Sequence, residues 1–266
     1  MSDADSPVVT VVTPAFNAED CIQRCIDSVK SQDLPGIEHV VVDGGSRDST
    51  IDIVRRAGLR HVSERDAGIY DAMSKGVRMA RGEFVHILNA DDYFAGPRSV
   101  RTLVEAMRAR SLDVAHGRVR QVRADGSTVR TFGRDASHAQ LLRKMVVAHP
   151  STMVRRWVYD RHGAFSVGFR IAADHEWVLR VWPKLAVGFV PEVLVEMRIG
   201  GVSTASANVV RAYRESTAAA IMHGAGPLRA TFNCWYEIAK HLAFFRRTFV
   251  DTSLTKQVAA PAAQPS

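Results

Sequence analysis

At 266 residues, 46% of them apolar and 24% charged, the chain has the make-up of an ordinary globular protein with one main core. Its formal net charge of +7 suits an anionic ligand such as a nucleotide diphosphate, a nucleic acid or an acidic lipid surface, and does not choose among them. No stretch reaches the roughly 18 apolar residues of a spanning helix, and Met1 to Pro7 is acidic and polar, unlike a secretory leader.

The first hundred residues alternate β-branched runs with amphipathic stretches. Residues 8–13 read as a strand, and Asn17 is placed to cap the helix that follows, whose buried face is Cys21, Ile22, Cys25, Ile26 and Val29. Cys21 and Cys25 lie four apart on that face, a spacing that serves packing more often than metal binding, and three cysteines in all fit a reducing compartment, the cytoplasm. Residues 38–43 form the second strand. Ser49 with Asp52 has the spacing of a capping box, and Gly58 suits the end of that second helix. Residues 59–63 and 83–88 are the third and fourth strands, and Val100, Leu103, Val104 and Met107 mark another helical face. Strands that run apolar without alternation, separated by helices, predict a parallel sheet covered on both sides.

Further on, a hairpin is predicted to turn at Asp125-Gly126 between residues 114–122 and 128–132. A helix over 174–182 and short strands over 187–190 and 193–198 follow. From Ala205 the pattern is helical to about Val250, with a break at Gly224-Ala225-Gly226-Pro227. Residues 1–7 and 251–266 carry too little apolar bulk to order themselves.

In open α/β sheets ligands bind beyond the carboxyl ends of the strands. Here those ends read Thr13-Pro14-Ala15-Phe16-Asn17, Asp43-Gly44-Gly45-Ser46, Glu64-Arg65-Asp66-Ala67-Gly68 and Asn89-Ala90-Asp91-Asp92. Asp43 followed by two glycines offers a carboxylate beside backbone that a flat base can approach, though an aspartate capping the next helix is the plainer reading of that residue alone. Asn89, Asp91 and Asp92 offer hard oxygen ligands to a divalent cation, although such residues also fill ordinary turns.

Together with Asp66-Ala67-Gly68-Ile69-Tyr70-Asp71-Ala72-Met73-Ser74-Lys75-Gly76, these strand ends closely resemble the family 2 glycosyltransferases of GT-A fold, over roughly residues 8–204. The resemblance implies an α/β protein of GT-A type: a mostly parallel central sheet flanked by helices, with a nucleotide-binding half over 8–96, an acceptor half over 97–204 and a C-terminal helical extension over 205–250. It implies that Pro14 and Phe16, with Asn17, line the base pocket; that Asp43, with Gly44, Gly45 and Ser46, and Asp66 hold the base; and that Asp71 and Lys75 lie near ribose and phosphates. Asn89 and Ala90 also fall on the donor side, and Asp91, with Asp92 beside it, would ligate Mg2+ or Mn2+. Arg170-Ile171-Ala172-Ala173-Asp174-His175-Glu176-Trp177 is similar to the segment that carries the catalytic base, which maps onto Asp174. Residues 198–203, Ser203 included, are similar to the loop that closes over the donor, and His149 falls where it could meet the acceptor or the leaving phosphate, or be structural.

Two positions depart from the family pattern. Asn89 stands where aspartate is common, and Ala173 where glutamate often precedes the base, which leaves the group that orients Asp174 unidentified. Trp157, Trp177 and Trp182 at helical spacing belong in a core more often than on a sugar. The implied partners are a nucleotide-sugar donor and a saccharide or lipid-linked acceptor, with no nucleic acid. Over 228–250, Phe232, Trp235, Tyr236, Leu242 and Phe249 recur beside Arg229, Lys240, Arg246 and Arg247, as in a helix lying at a membrane interface; a helix packed on the catalytic domain explains the pattern equally. The rival classes are a nicotinamide oxidoreductase, disfavoured because Gly-x-Gly-x-x-Gly is missing after the first strand, and a non-catalytic sugar- or nucleotide-binding protein on the same scaffold.

Overall fold

The computed structural model of the protein describes residues 6–123, 125–199 and 208–240. The first half alternates as the sequence predicts: β1 (Val9–Ala15), α1 (Ile22–Lys30), β2 (Ile37–Asp43), α2 (Thr50–Arg56), β3 (Arg60–Ser63), α3 (Ile69–Met79) and β4 (Phe84–Ile87). Then come β5 (Asp92–Phe94), α4 (Ser99–Ala109), β6 (Val114–Val122), β7 (Thr128–Phe132), α5 (His138–Leu141), β8 (Thr152–Arg155), α6 (Arg156–His162), α7 (Ala173–Val181), β9 (Val187–Arg198) and α8 (Val209–Met222). Residues 227–240 form a further helix, α9.

All nine strands belong to one mixed sheet of order β3-β2-β1-β4-β8-β6-β9-β5, with β7 paired to β6. The half that runs β3-β2-β1-β4 is parallel, with Val12 of β1 registered against Val40 on one side and Ile87 on the other. β8 runs antiparallel to both β4 and β6. Every residue of β1 is buried because both sheet faces are covered. Val11 joins a core with Cys25, Leu103 and Met107 under α1 and α4, and its neighbour Val12 joins one with Met73, Val85 and Trp177 under α3 and α7. Burying side chains of this size stabilises by about 1.5–3 kcal/mol each. Trp177 and Trp182 both lie in the second core, and their indole N–H groups donate to the carbonyls of Gly163 and Ala136.

Several local expectations change. Asn17 does not cap α1, which begins five residues later; it takes a left-handed backbone (φ 47°), which asparagine tolerates, and its Oδ1 accepts from the Arg47 N–H at 3.0 Å. Ser49 precedes α2 but makes no cap bond. Asp48 does so instead, accepting from the Thr50 N–H at 3.0 Å and its hydroxyl at 2.6 Å. The two short strands predicted over 187–198 are one, β9, whose register against β6 shifts between His116 and Arg118, opposite Pro191, which has no N–H to pair.

The C-terminal helices are less of an appendage than the sequence implies. Ala219 and Ala220 of α8 lie in the core with Trp177, and Glu215 Oε2 accepts from three consecutive backbone N–H groups, Arg170, Ile171 and Ala172, at 2.8–3.1 Å. A carboxylate there satisfies exposed donors at the start of α7 and matches the positive end of its dipole. Residues 1–5 and 241–266, which include the predicted disordered tail, lie outside the described residues. Pro7, in the segment expected to be loose, accepts from the Glu83 N–H at 3.2 Å.

Candidate active site

The chain leaves β4 at its carboxyl end, in the middle of the sheet, and reaches β5 at the far edge against β9. Asn89-Ala90-Asp91-Asp92 therefore spans from the nucleotide-side strands to the other half of the sheet. It forms part of a cleft of about 1520 Å³, larger than the roughly 300–1,000 Å³ of a typical single-ligand pocket. Pro14, Phe16, Asn17, Gly44, Asp66, Asn89, Ala90, Asp91, Asp92, His149 and Asp174 all line it.

At the nucleotide end, Gly44 has a steric reason to be glycine. A Cβ there would stand 2.5 Å from Asp66 Oδ2 and 3.4 Å from the Phe16 ring. The Asp66 carboxylate is held by the Gly68 N–H at 2.9 Å, and the Phe16 ring is 62% exposed, a free face at the rim. Asp43, expected at the base, is fully buried and is not among the residues that line the cleft. Its carboxylate accepts from the Gly45 and Ser46 N–H groups, the Ser46 hydroxyl and the Ser63 hydroxyl, so it shapes the turn that presents Gly44. Ser46 in turn accepts from the Asn17 N–H at 2.8 Å, tying the β1 and β2 loops together.

Asp71 and Lys75 also stand back from the cleft. Lys75 Nζ pairs with Glu64 at 2.8 Å and Asp71 at 3.3 Å and donates to the Arg65 carbonyl, while Asp71 Oδ2 accepts from the Ala67 N–H. The Ala67 N–H foremost, then Lys75, holds the Asp71 carboxyl below its ordinary range. Both residues brace the loop that carries Asp66, and neither is among the residues that line the cleft.

At the centre, Asp92 is buried, with Oδ2 accepting from Asn89 Nδ2 at 3.0 Å. Asn89 Oδ1 and Asp92 Oδ1 are buried with no hydrogen-bond partner among the described residues. Burial, helped by the charge of Asp91, lifts the Asp92 carboxyl well above its ordinary range; burial also lifts Asp91, against a smaller pull from Arg198. Two carboxyl groups and an unpartnered amide oxygen on one rim are a donor set for a hard cation, whose charge would offset the cost of burying the carboxylates. No three His, Cys, Asp or Glu side chains converge as a ready-made metal cage among the described residues, so a cation here would take its remaining ligands from substrate phosphates and water. Cys21 and Cys25 belong to packing: burial pushes their thiols up to about 11 and about 12, which keeps them protonated.

Opposite, Asp174 sits in the first turn of α7 and lines the cleft. Its Oδ1 accepts from the His175 N–H at 2.8 Å and from the Tyr70 hydroxyl at 3.1 Å, and that hydroxyl also contacts the Ile171 carbonyl at 2.6 Å. Tyr70 is thus the side chain that meets Asp174, a partner left open by the sequence. It was in view within the Gly68 to Ala72 stretch, but its partner lies 104 residues away and nothing local announces the pair. Glu176 faces the other way: it is buried and pairs with Arg180 at 3.0 Å and His223 at 3.1 Å. The buried His149 ring stands edge-on to Phe165 at 5.4 Å; burial lowers its pKa while the Asp174 charge works against that. Ser203 lies outside the described residues; Arg198, at the end of β9, lines the cleft.

Residues 10–176 match the family described as Glycosyl transferase family 2. An uncharacterized glycosyltransferase of Mycobacterium tuberculosis is 34% identical over 187 residues, which cover 66% of this chain and 69% of that protein. A PGL/p-HBAD biosynthesis glycosyltransferase of Mycobacterium bovis is 28% identical over 208 residues, covering 74% and 80%. Among solved structures, S. aureus TarS 1-349 in complex with UDP-GlcNAc superposes with a TM-score of 0.66 at 17% identity, covering 90% of this chain and 74% of that one. The mannosyltransferase PcManGT of Pyrobaculum calidifontis, in complex with GDP-Man and Mn2+, gives 0.64 at 22% identity, covering 97% and 77%. With the family matched over well over half of its length and the sheet order of a GT-A fold, the chain belongs to glycosyl transferase family 2.

Proposed function

We propose that the protein is an inverting, metal-dependent, non-processive hexosyltransferase that moves a sugar from a nucleotide diphosphate donor, a UDP-sugar, to an acceptor hydroxyl in the assembly of a surface polysaccharide or glycolipid. One observation carries this reading: the Asn89 to Asp92 rim and the Asp174 carboxylate line one cleft of about 1520 Å³. Phe16 stacks on the base and Asp66, over Gly44, accepts from it. Asp91, with Asp92 and Asn89, would hold Mg2+ or Mn2+, and a cation bound there would supply positive charge to the departing diphosphate. Asp174 takes the proton from the acceptor hydroxyl as that oxygen attacks the anomeric carbon from the face opposite the diphosphate.

Removing the metal ligand tests this directly. Asp91→Asn is expected to lower turnover by about 10²-fold or more and to raise the Mn2+ concentration needed for half-maximal rate. Full activity of the wild type in excess chelator would refute the metal requirement.

No helix among the described residues is long and apolar enough to cross a membrane. The described part of 228–250 has two faces. Ala230, Cys234 and Ile238, spaced four apart, are buried against the body, whereas Leu228, Phe232, Trp235 and Tyr236 on the other side are exposed, Leu228 by 91%. Both sequence-based readings of this segment thus have a face to support them. The exposed aromatics, flanked by Arg229 and Lys240, suit peripheral contact with an anionic bilayer on the cytoplasmic side. Because truncation would uncover the buried face, point changes are the better test: the Phe232→Ser, Trp235→Ser double variant is expected to lose co-sedimentation with anionic liposomes while keeping its melting temperature. Equal sedimentation of variant and wild type would rule the contact out.

A further inference from the structure

We propose that the wall of the cleft formed by the β6–β7 hairpin and the turn after α5 is a phosphate subsite, so that the acceptor itself carries a phosphate group. The proposal rests on the transferase reading above and specifies its acceptor. Arg118 on β6, Arg130 on β7, Arg134 just beyond β7 and Arg143 just beyond α5 all line the cleft. None of the four pairs with a carboxylate among the described residues; the hydrogen bonds of Arg130 and Arg134 go to neutral oxygens. Cationic side chains that line a cleft without a carboxylate partner are groups an anion would neutralise.

Arg130 is held in place for the purpose. Its Nε donates to Gln121 Oε1 at 2.9 Å, Gln121 is only 5% exposed, and the Phe132 ring centre lies 5.1 Å from the guanidinium carbon. Both Nη groups are left without a partner among the described residues. A guanidinium fixed at one edge and open at the other loses little freedom when it grips a phosphate through two parallel hydrogen bonds.

The donor's own diphosphate is not the natural occupant. The groups assigned to the base, Phe16, Gly44 and Asp66, stand beyond β1 to β3, and Asn89 to Asp91 lie on the connection from β4 to β5; that part of the cleft has its own lining cations in Arg65, next to Asp66 in the chain, and Arg198, whose charge acts on Asp91. β6 lies two strands beyond β4, roughly 10 Å across the sheet. The arginines belong to the segment 97–204, which the family resemblance gives to the acceptor, and we assign them to it on that ground.

The test titrates the full chain, saturated with whichever of UDP or GDP it binds, with glucose 1-phosphate, farnesyl phosphate and glucose. Both phosphates are expected to bind and glucose not. The Arg130→Gln, Arg134→Gln double variant is expected to weaken phosphate binding about tenfold or more while its affinity for the nucleotide stays that of the wild type. Tighter binding of farnesyl phosphate than of glucose 1-phosphate would place the phosphate on a lipid, and the reverse on a sugar. Three results would overturn the subsite: no phosphate binding, equal binding by variant and wild type, or a parallel loss of nucleotide affinity, which would give the arginines to the donor. If neither UDP nor GDP binds, the transferase reading itself fails, and the same phosphate titration on the free protein still decides the subsite.

Discussion

Asp174→Asn is expected to reduce turnover by roughly 10²–10⁴, about 3–5 kcal/mol of transition-state stabilisation, while leaving nucleotide binding and melting temperature near wild type. The change removes the basic oxygen but little structure. Oδ1 of an asparagine can still accept from the His175 N–H and the Tyr70 hydroxyl, so the first turn of α7 keeps its bonds. Glu176→Gln should behave in the opposite way. Its carboxylate is buried between Arg180 and His223 and does not line the cleft, so neutralising it weakens a partly buried pair and costs about 1–3 kcal/mol of stability with the chemistry of the folded molecules intact. Turnover numbers measured beside melting curves separate the two residues. An active Asp174→Asn with an inactive, fully stable Glu176→Gln would move the base to Glu176.

The protein is expected to lose stability steeply as the pH falls from about 7 to about 4, because the core holds several neutral imidazoles. Burial pushes His39 down to about 4, with Lys30 adding to it, and burial pushes His116 to about 4 and His86 to about 3. In the unfolded chain each titrates near 6.5. Between those values the unfolded state binds more protons than the native one, so stability drops as the pH falls through 6.5 and the loss levels off only below the native pKa. For His39 and His116 the loss by pH 4 is on the order of 3 kcal/mol each, large against a typical total of about 5–15 kcal/mol. Asp92 acts with the opposite sign: its native pKa is raised, so its burial is less unfavourable as the pH falls, which offsets part of the effect. Urea midpoints across this range check the prediction. His116 gives the cleanest single test, since neither ring nitrogen has a partner among the described residues and the ring lies 5.5 Å from Trp182 and 5.2 Å from Phe189. His116→Leu should flatten the pH dependence, and an unchanged slope would show that the imidazole is not its source.

The amino-acid sequence by itself determined what periodicity and turn chemistry can carry. The apolar runs of β1 to β4, the buried faces of α1 and α4, the helix stop at Gly58 and the hairpin at Asp125-Gly126 were all legible, because each depends on residues a few positions apart. The strand ends and the Asp66 to Gly76 stretch also identified the family, and hence the rim on which Asp66, Asp91 and Asp174 meet. What only the tertiary structure decided was the direction in which each polar side chain is used. Asp43 and Asp66 are both acidic residues at strand ends. One is enclosed by the hydroxyls of Ser46 and Ser63 and the other faces the cleft, a difference set by packing between β2 and β3 that no local pattern records. Likewise Tyr70 reaches Asp174 and Glu215 caps α7, each through contacts between residues distant in the chain. Periodicity reports which face of an element is buried; only the folded chain brings together the elements whose polar groups then satisfy, or leave open, one another's hydrogen bonds.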